Sequence, residues 1–176
     1  MYTVQLPKLS FANAYINNKP ERNLKFMLYA FIAAGIFLLD LGIKDYIERT
    51  GEEGKERRIG KGMLLLRKHH NKGAALNAGQ DRSGWVTVLS IVLTLAMTML
   101  FLVTFSCKGS RMLKTGLAFL LGGAYSNTYD RVRRHYVVDY VSFPVKNKMI
   151  RQIVFNISDF FIMIGAFLMV IGSAEQ

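Results

Sequence analysis

Long apolar runs alternate with polar segments along the chain, and their lengths match those of membrane-spanning helices. An α-helix rises about 1.5 Å per residue, so roughly twenty apolar residues cross a hydrocarbon core of about 30 Å. Four runs reach or approach this length, at residues 24–43, 85–106, 113–130 and 153–172. The pattern predicts an all-α membrane protein with four transmembrane helices, and the short connections predict one integral membrane domain over residues 1–176.

The polar segments differ from one another in character. Residues 1–23 lack the apolar core and cleavage site of a removable signal peptide, so we expect them to lie along the membrane surface. Residues 62–76 combine an extended apolar stretch with an Asn-x-Gly bend at Asn71, which predicts a small extramembrane β element between the first and second spans. Residues 131–151 carry six basic residues and a proline, and we expect a loop there.

The composition supports a small polytopic membrane protein. Hydrophobic residues make up 51% of the chain, yet 23 Lys and Arg stand against 12 Asp and Glu, for a net charge of +11. Basic loops between apolar spans are typical of membrane proteins, and we expect no nucleic-acid partner.

Carboxylates and carboxamides interrupt two of the apolar runs at helical spacing. Asn127, Asp130 and Arg131 fall at i, i+3 and i+4, and therefore share one helix face. Asn156 and Asp159 do the same in the last run, with Asp159 six residues in, roughly 9 Å along that helix. Such a stripe is costly in lipid, so it should face the protein interior or a wet cavity.

If the four spans cross in turn, the end of the first, the end of the third and the start of the fourth lie at one membrane face. The polar residues expected to gather there are Asp40, Asn71, Asn127, Asp130, Arg131, Asp139, Asn156 and Asp159. Asp40 is followed one turn later by Lys44, and composition alone allows either an interfacial ion pair or a side chain aimed at a site.

The chemistry open to such a cluster is that of paired carboxylates. The chain has no Ser–His pair at catalytic spacing and no nucleotide fingerprint. His69 and His70 point to opposite sides of an extended segment without a third ligand nearby, so we expect solvated histidines and no metal site. Two neighbouring aspartates share one proton, so that one activates water as a base while the other acts as an acid.

The ordered motifs resemble those of lipoprotein signal peptidase, also called signal peptidase II, a four-span aspartic peptidase of bacterial inner membranes. The matching segments are Asn127-x-x-Asp130-Arg131, Val137-Val138-Asp139-Tyr140, Phe155-Asn156-x-Ser158-Asp159, Asp40 with Lys44, and Asn71-x-Gly73-Ala. The likeness spans residues 40–165 in chain order, which makes the series specific although each piece alone is weak.

The resemblance implies an aspartic endopeptidase that removes signal peptides from diacylglyceryl-modified prolipoproteins, cleaving just before the lipidated cysteine. It implies that Asp139 and Asp159 are the catalytic pair and that no metal or cofactor takes part. Substrate-binding or supporting roles are implied for Asp40, Asn71, Gly73, Asn127, Asp130, Arg131 and Asn156. The resemblance also implies that Asp40 and Asn71 reach the substrate from the side opposite the other supporting residues. The expected partners are lipid-modified prolipoproteins and membrane lipids, and the expected state is a monomer.

Some positions depart from the family's usual pattern. Tyr140 stands where Phe is usual, Ser158 where Ala is usual, and Leu76-Asn77 where an aromatic and a small residue are common. We expect these departures to affect substrate preference more than chemistry. The charged insert at residues 52–58 is also unusual, and its role is left open.

Three alternatives remain open from the sequence. The intramembrane carboxylates also suit a proton-coupled transporter. A relative that binds lipoproteins without cutting them is the second alternative. Asp130 and Arg131 also suit a plain ion pair at a helix end. The family's active side faces outward in the cell membrane, whereas Lys44 and the two polar loops on that side carry 16 Lys and Arg against 7 elsewhere, the reverse of the positive-inside rule. We follow the resemblance, because six acidic residues lie in the loop at residues 45–82 and because basic loops bind anionic headgroups.

Overall fold

The computed structural model describes residues 8–73, 80–106 and 110–174. Besides two short 3₁₀ turns, its elements are α1 (Lys8–Thr50), β1 (Glu56–Ile59), β2 (Leu64–Asn71), α2 (Ser83–Ser106), α3 (Arg111–Arg134), β3 (Val137–Ser142), α4 (Lys148–Arg151) and α5 (Ile157–Ala174). Within these residues, three helices are long and apolar enough to cross a membrane: Glu21–Thr50 of α1, Ser83–Phe105 of α2, and Ile157–Ala174, which is α5. The chain is therefore a multi-pass membrane protein with a helix-rich fold.

The surface of α2 shows how a span satisfies its polar groups in lipid. The helix carries no charged residue, and Trp85 near its start is 75% exposed. Four of its hydroxyls bond back to the carbonyl oxygen four residues earlier, as Thr87 does to Ser83 at 3.0 Å and Thr104 to Leu100 at 2.7 Å. These threonine hydroxyls are therefore hydrogen-bonded within the helix and need no partner in the lipid.

The helix α3 lies at the centre of the bundle and packs against α1, α2 and α5. Its glycines allow this close packing. A Cβ added to Gly123 would lie 2.5 Å from the Ser158 carbonyl oxygen of α5, and one added to Gly122 would lie 2.7 Å from the Ala33 oxygen of α1. Small residues let helix backbones approach closely, and here they bring the polar face of α3 against the start of α5.

A three-stranded antiparallel sheet, in the order β1-β2-β3, stands beside the helices. The predicted β element between the first two spans is confirmed, but the expected loop at residues 131–151 is wrong. α3 continues to Arg134, His135 ends it with a φ of 66°, and β3 follows at once. The β-branched and aromatic run Val137-Val138-Asp139-Tyr140-Val141 suits a buried strand, and the basic residues around it obscured that signal.

The ends of the first and last spans also differ from expectation. α1 is one helix from Lys8, so residues 8–23 form no separate surface segment, and residues 1–7 lie outside the described part. α5 begins at Ile157 rather than at residue 153. Leu76 and Asn77, two of the departures named above, and Cys107, the single cysteine of the chain, fall outside the described residues.

Candidate active site

The residue that precedes the cap of α5 is paired with β3, and this pairing brings two distant aspartates to one cavity. The Phe155 amide donates to the Val141 carbonyl at 2.7 Å. The amides of Tyr140 and Val141 donate to the Phe155 carbonyl at 2.9 and 2.7 Å. Asp139 on β3 and Asp159 on α5 consequently line the same cavity.

Asn156 and Asp159 cap the first turn of α5 reciprocally. The Asp159 amide donates to Asn156 Oδ1 at 3.0 Å, and the Asn156 amide donates to Asp159 Oδ2 at 3.0 Å. This is a capping box, which satisfies two backbone groups at the helix start and fixes both side chains. Asp159 therefore lies in the first helical turn, where the helix dipole favours its negative charge. The i, i+3 spacing of the two residues carried this signal, which we had interpreted as a shared helix face.

Each aspartate accepts hydrogen bonds from carboxamides. Asp139 accepts from Asn156 Nδ2 at 2.7 Å and from Asn71 Nδ2 at 3.0 Å. Asp159 accepts from Asn127 Nδ2 at 2.9 Å. Asn156 therefore contacts both carboxylates, one through its side chain and the other through its backbone.

A buried lysine determines how the carboxamides are oriented. Lys44 Nζ donates to Asn127 Oδ1 at 2.8 Å, and Asn156 Nδ2 donates to the same oxygen at 3.1 Å. Because an ammonium group has only hydrogens to offer, the amide oxygen of Asn127 must face Lys44, and its NH₂ group is left to face Asp159.

Lys44 belongs to a fully buried charge network behind the two aspartates. Its Nζ lies 2.7 Å from Asp40 Oδ2 and 3.2 Å from Asp130 Oδ2, and all three side chains are 0% exposed. Asp130 also pairs with Arg134 and accepts from the Val138 amide at 3.1 Å. Asp40 and Lys44 thus form a buried pair rather than an interfacial one, and neither lines the cavity, so the structure gives no support to the expectation that Asp40 reaches the substrate.

Arg131 lies at the cavity instead of pairing with Asp130. It donates from Nη2 to the Gly73 carbonyl at 3.1 Å and from Nη1 to the Asn127 carbonyl at 3.3 Å. The interpretation of Asp130 and Arg131 as a neighbour ion pair therefore fails, because Asp130 turns to Lys44 and Arg134. Arg131 links the bend after β2 to α3 and leaves a positive charge beside the two aspartates.

The cavity has a volume of about 460 Å³ and two kinds of wall. Polar side chains line one part: Asn71, Asn127, Arg131, Asp139 and Asp159. Apolar side chains, including Ile153, Val154, Ile162 and Met163, line the rest. An extended peptide with apolar side chains suits such a cavity, since its backbone amides find donors and acceptors on the polar wall.

Burial and the neighbouring negative charge of Asp159 raise the pKa of Asp139 to about 7. The hydrogen bonds from Asn71 and Asn156 oppose this rise by stabilising the ionised form. The pair therefore holds one proton near neutral pH.

His70 is not simply solvated, as the sequence suggested. Its ring lies between two carboxylates, with Nε2 3.0 Å from Glu48 and Nδ1 3.0 Å from Glu53, and it stacks on Tyr136. Among the described residues, no group of three or more His, Cys, Asp or Glu side chains could hold a metal ion. That the reaction needs no metal or cofactor stays a prediction.

Comparison with known proteins decides the family. The family model of signal peptidase (SPase) II matches residues 15–174. The chain belongs to the signal peptidase II family. The resemblance inferred from the motifs is confirmed, and the family contains aspartic proteases, as expected.

Individual relatives agree with this assignment. The lipoprotein signal peptidase of Cupriavidus necator is 33% identical over 164 residues, which cover 91% of this chain and 90% of that protein. The lipoprotein signal peptidase of Alteromonas mediterranea is 36% identical over 104 residues, 58% of this chain and 56% of that protein. A bacterial membrane enzyme solved by the in meso method at 2.3 Å resolution has a TM-score of 0.71 at 22% identity, covering 84% of this chain and 88% of that one, which supports the fold.

Proposed function

We propose that this signal peptidase II cleaves lipid-modified prolipoproteins with Asp139 and Asp159 as its catalytic pair. The single observation that carries the proposal is that two aspartates, twenty residues apart in sequence, line one cavity and share Asn156 as a hydrogen-bond donor. Family membership supports removal of signal peptides from prolipoproteins and does not favour the transporter or the non-cleaving binder.

The pair supplies an acid and a base without a covalent intermediate. Water attacks the carbonyl carbon of the scissile amide while Asp159 takes a proton from that water. Asp139 gives its proton to the carbonyl oxygen, and a neutral gem-diol forms. The carbon–nitrogen bond then breaks as Asp159 protonates the departing nitrogen and Asp139 takes a proton from a gem-diol hydroxyl. The pair returns to its starting state with one proton.

The supporting residues act in two groups. Asn71, Asn127 and Asn156 hold the two carboxylates through the hydrogen bonds described above. Arg131, held by the Gly73 carbonyl, borders the cavity where a substrate backbone would lie. Asp40 and Asp130 act from behind by holding Lys44, which orients Asn127. Hydrogen-bond donors placed in this way fix the orientation of the acid and the base relative to the attacking water.

We place α3 as a fourth span. Its 24 residues extend over about 36 Å as a helix, enough to cross the bilayer. It is less apolar than its neighbours because its polar residues, including Ser126, Asn127 and Asp130, are buried against other helices. With four spans, residues 1–176 form a single domain with the cavity at the outer face of a bacterial inner membrane. The protein acts there as a monomer among membrane lipids.

The experiment uses the purified protein in lipid nanodiscs and a prolipoprotein in two forms, with and without the diacylglyceryl group on its cysteine. Mass spectrometry of the products should show cleavage before the modified cysteine, and little or no cleavage of the unmodified form. Equal cleavage of both forms, or an intact lipid-modified precursor in the presence of folded protein, would contradict the proposal.

A further inference from the structure

Tyr140, one of the departures from the family's usual pattern, is buried behind the catalytic pair rather than placed in the cavity. It is 2% exposed, and its hydroxyl donates to Asp40 Oδ1 at 2.8 Å. The same hydroxyl oxygen accepts from the amide of Ile157, the first residue of α5, at 3.1 Å. Tyr140 therefore joins a buried carboxylate on α1 to the helix that carries Asp159.

Ser158, the other departure with described side-chain contacts, converges on the same carboxylate. Its Oγ donates to Asp40 Oδ2 at 2.6 Å, as does Ser126 Oγ at 2.6 Å. Ser158 is 0% exposed and directly precedes Asp159. Neither side chain lines the cavity, which argues against the expected effect of Tyr140 and Ser158 on substrate preference.

The backbone at the start of α5 needs these contacts. The first four amides of a helix have no partner within the helix, and buried ones must find another acceptor. Asn156 Oδ1 satisfies the Asp159 amide, and Tyr140 satisfies the Ile157 amide. A phenylalanine at position 140 would make neither hydrogen bond, since it has no acceptor for the Ile157 amide and no donor for Asp40.

We propose that Tyr140 is a positioning residue for Asp159, which holds the first turn of α5 against Asp40, with Ser158 as a second and weaker anchor. This inference rests on the proposed function, since it assigns a role relative to the catalytic pair. It predicts that the hydroxyls affect the rate of the chemical step and leave substrate binding unchanged, because they touch no substrate.

The experiment compares Tyr140→Phe and Ser158→Ala with wild type on the lipid-modified precursor in nanodiscs. Tyr140→Phe should lower kcat about tenfold with KM unchanged, since it removes the hydrogen-bond partner of Asp40 Oδ1 and of the Ile157 amide. Ser158→Ala should lower kcat only about threefold, since Asp40 Oδ2 keeps Lys44 and Ser126. Hydrogen exchange at the Ile157 amide should become faster in Tyr140→Phe.

Thr94→Val is the matched control. Thr94 is 5% exposed, and its hydroxyl lies 2.9 Å from that of Thr128 between α2 and α3, so the variant also removes a buried hydrogen-bonding hydroxyl. It should keep the wild-type kcat and the wild-type exchange rate at Ile157.

The outcomes separate this inference from the proposed function. Unchanged kcat in Tyr140→Phe, a change in KM instead of kcat, or an equal loss in Thr94→Val would overturn the positioning role. Should Tyr140→Phe fail to fold, Ser158→Ala carries the same test with the same control. Full turnover by Asp159→Asn would instead overturn the catalytic pair itself.

Discussion

The hydrogen bond from Asn71 to Asp139 offers a direct test of how the protein sets the ionisation of its catalytic pair. Asn71 Oδ1 accepts from the Gly73 amide at 3.0 Å, which leaves Asn71 Nδ2 to donate to Asp139 Oδ2 at 3.0 Å. This donor stabilises the ionised form of Asp139 and holds its pKa lower than burial alone would. Replacing Asn71 with Ala removes the donor.

The size of the effect follows from the energy of one hydrogen bond to a charged group. Such a bond contributes about 1.5–3 kcal/mol, and the half-buried position of Asn71 favours the lower end. Since about 1.4 kcal/mol corresponds to a tenfold change, the Asn71→Ala variant should shift the titration by about one pH unit. The direction is upward, because the ionised form loses a stabilising partner.

The assay is the pH dependence of kcat/KM for the lipid-modified precursor. Asp139 must be protonated to act as the acid, so wild-type activity should fall as pH rises through about 7. In Asn71→Ala that fall should move to about pH 8. A fall that stays in place or moves to lower pH would refute the reasoning. His70→Gln is the control, because it changes the neighbouring residue of β2 that does not line the cavity, and it should leave the fall at about pH 7.

Three further variants test the frame around the site. Lys44→Met should destabilise the protein by about 3–5 kcal/mol, because it leaves buried carboxylates without their cation, as thermal and denaturant unfolding would measure. Gly123→Ala should destabilise it by about 1–3 kcal/mol, because the added Cβ would lie 2.5 Å from a carbonyl oxygen of α5, whereas Gly35→Ala, with nothing within 4 Å, should be neutral. Glu56→Gln should raise KM severalfold with kcat unchanged, because Glu56 pairs with two arginines, at 3.1 and 2.8 Å, and so ties the sheet to the segment that borders the cavity. Glu52→Gln, which breaks only an exposed pair, should keep the wild-type KM.

Each of these predictions has a result that contradicts it. An unfolding midpoint for Lys44→Met equal to that of wild type would show that its charge network is not needed for the fold. Equal stability of the two glycine variants would remove the argument for close packing of α3 on α5. A change in kcat at constant KM in Glu56→Gln would mean that the sheet affects the chemical step rather than substrate binding in the cavity.

The apolar runs and the motif spacing were enough to predict three spans and the set of polar residues near the site. Hydrophobic length is a local property, so the helices α1, α2 and α5 follow from it directly. The alternation of spans correctly indicated that polar residues from distant segments meet, since Asn71 contacts Asp139, Asn127 contacts Asp159, and Asn156 contacts both.

The partner of each polar side chain could not be predicted from spacing. Lys44 lies one turn after Asp40, so their pairing was available from the sequence, but its contact with Asp130 depends on how α1 packs against α3. The direction of Asp40 is set in the same way by hydroxyls on α3, β3 and α5. These are tertiary contacts between residues about 90 to 120 positions apart, and no local pattern encodes them.

Two local signals were present and were misinterpreted. Asn156 and Asp159 have capping-box spacing, which would have moved the start of α5 to Ile157. Val137, Val138 and Val141 form a β-branched cluster that favours a strand, and the strand matters because it carries Asp139.

The central claim is that Asp139 and Asp159 are both required for bond cleavage, and single-turnover cleavage of the lipid-modified precursor tests it most directly. Asp139→Asn and Asp159→Asn should each lower the cleavage rate by about a thousandfold or more while the protein stays folded and inserted. Asp81→Asn, at an exposed aspartate ahead of α2, should keep the wild-type rate. A wild-type rate in either catalytic variant would contradict the account.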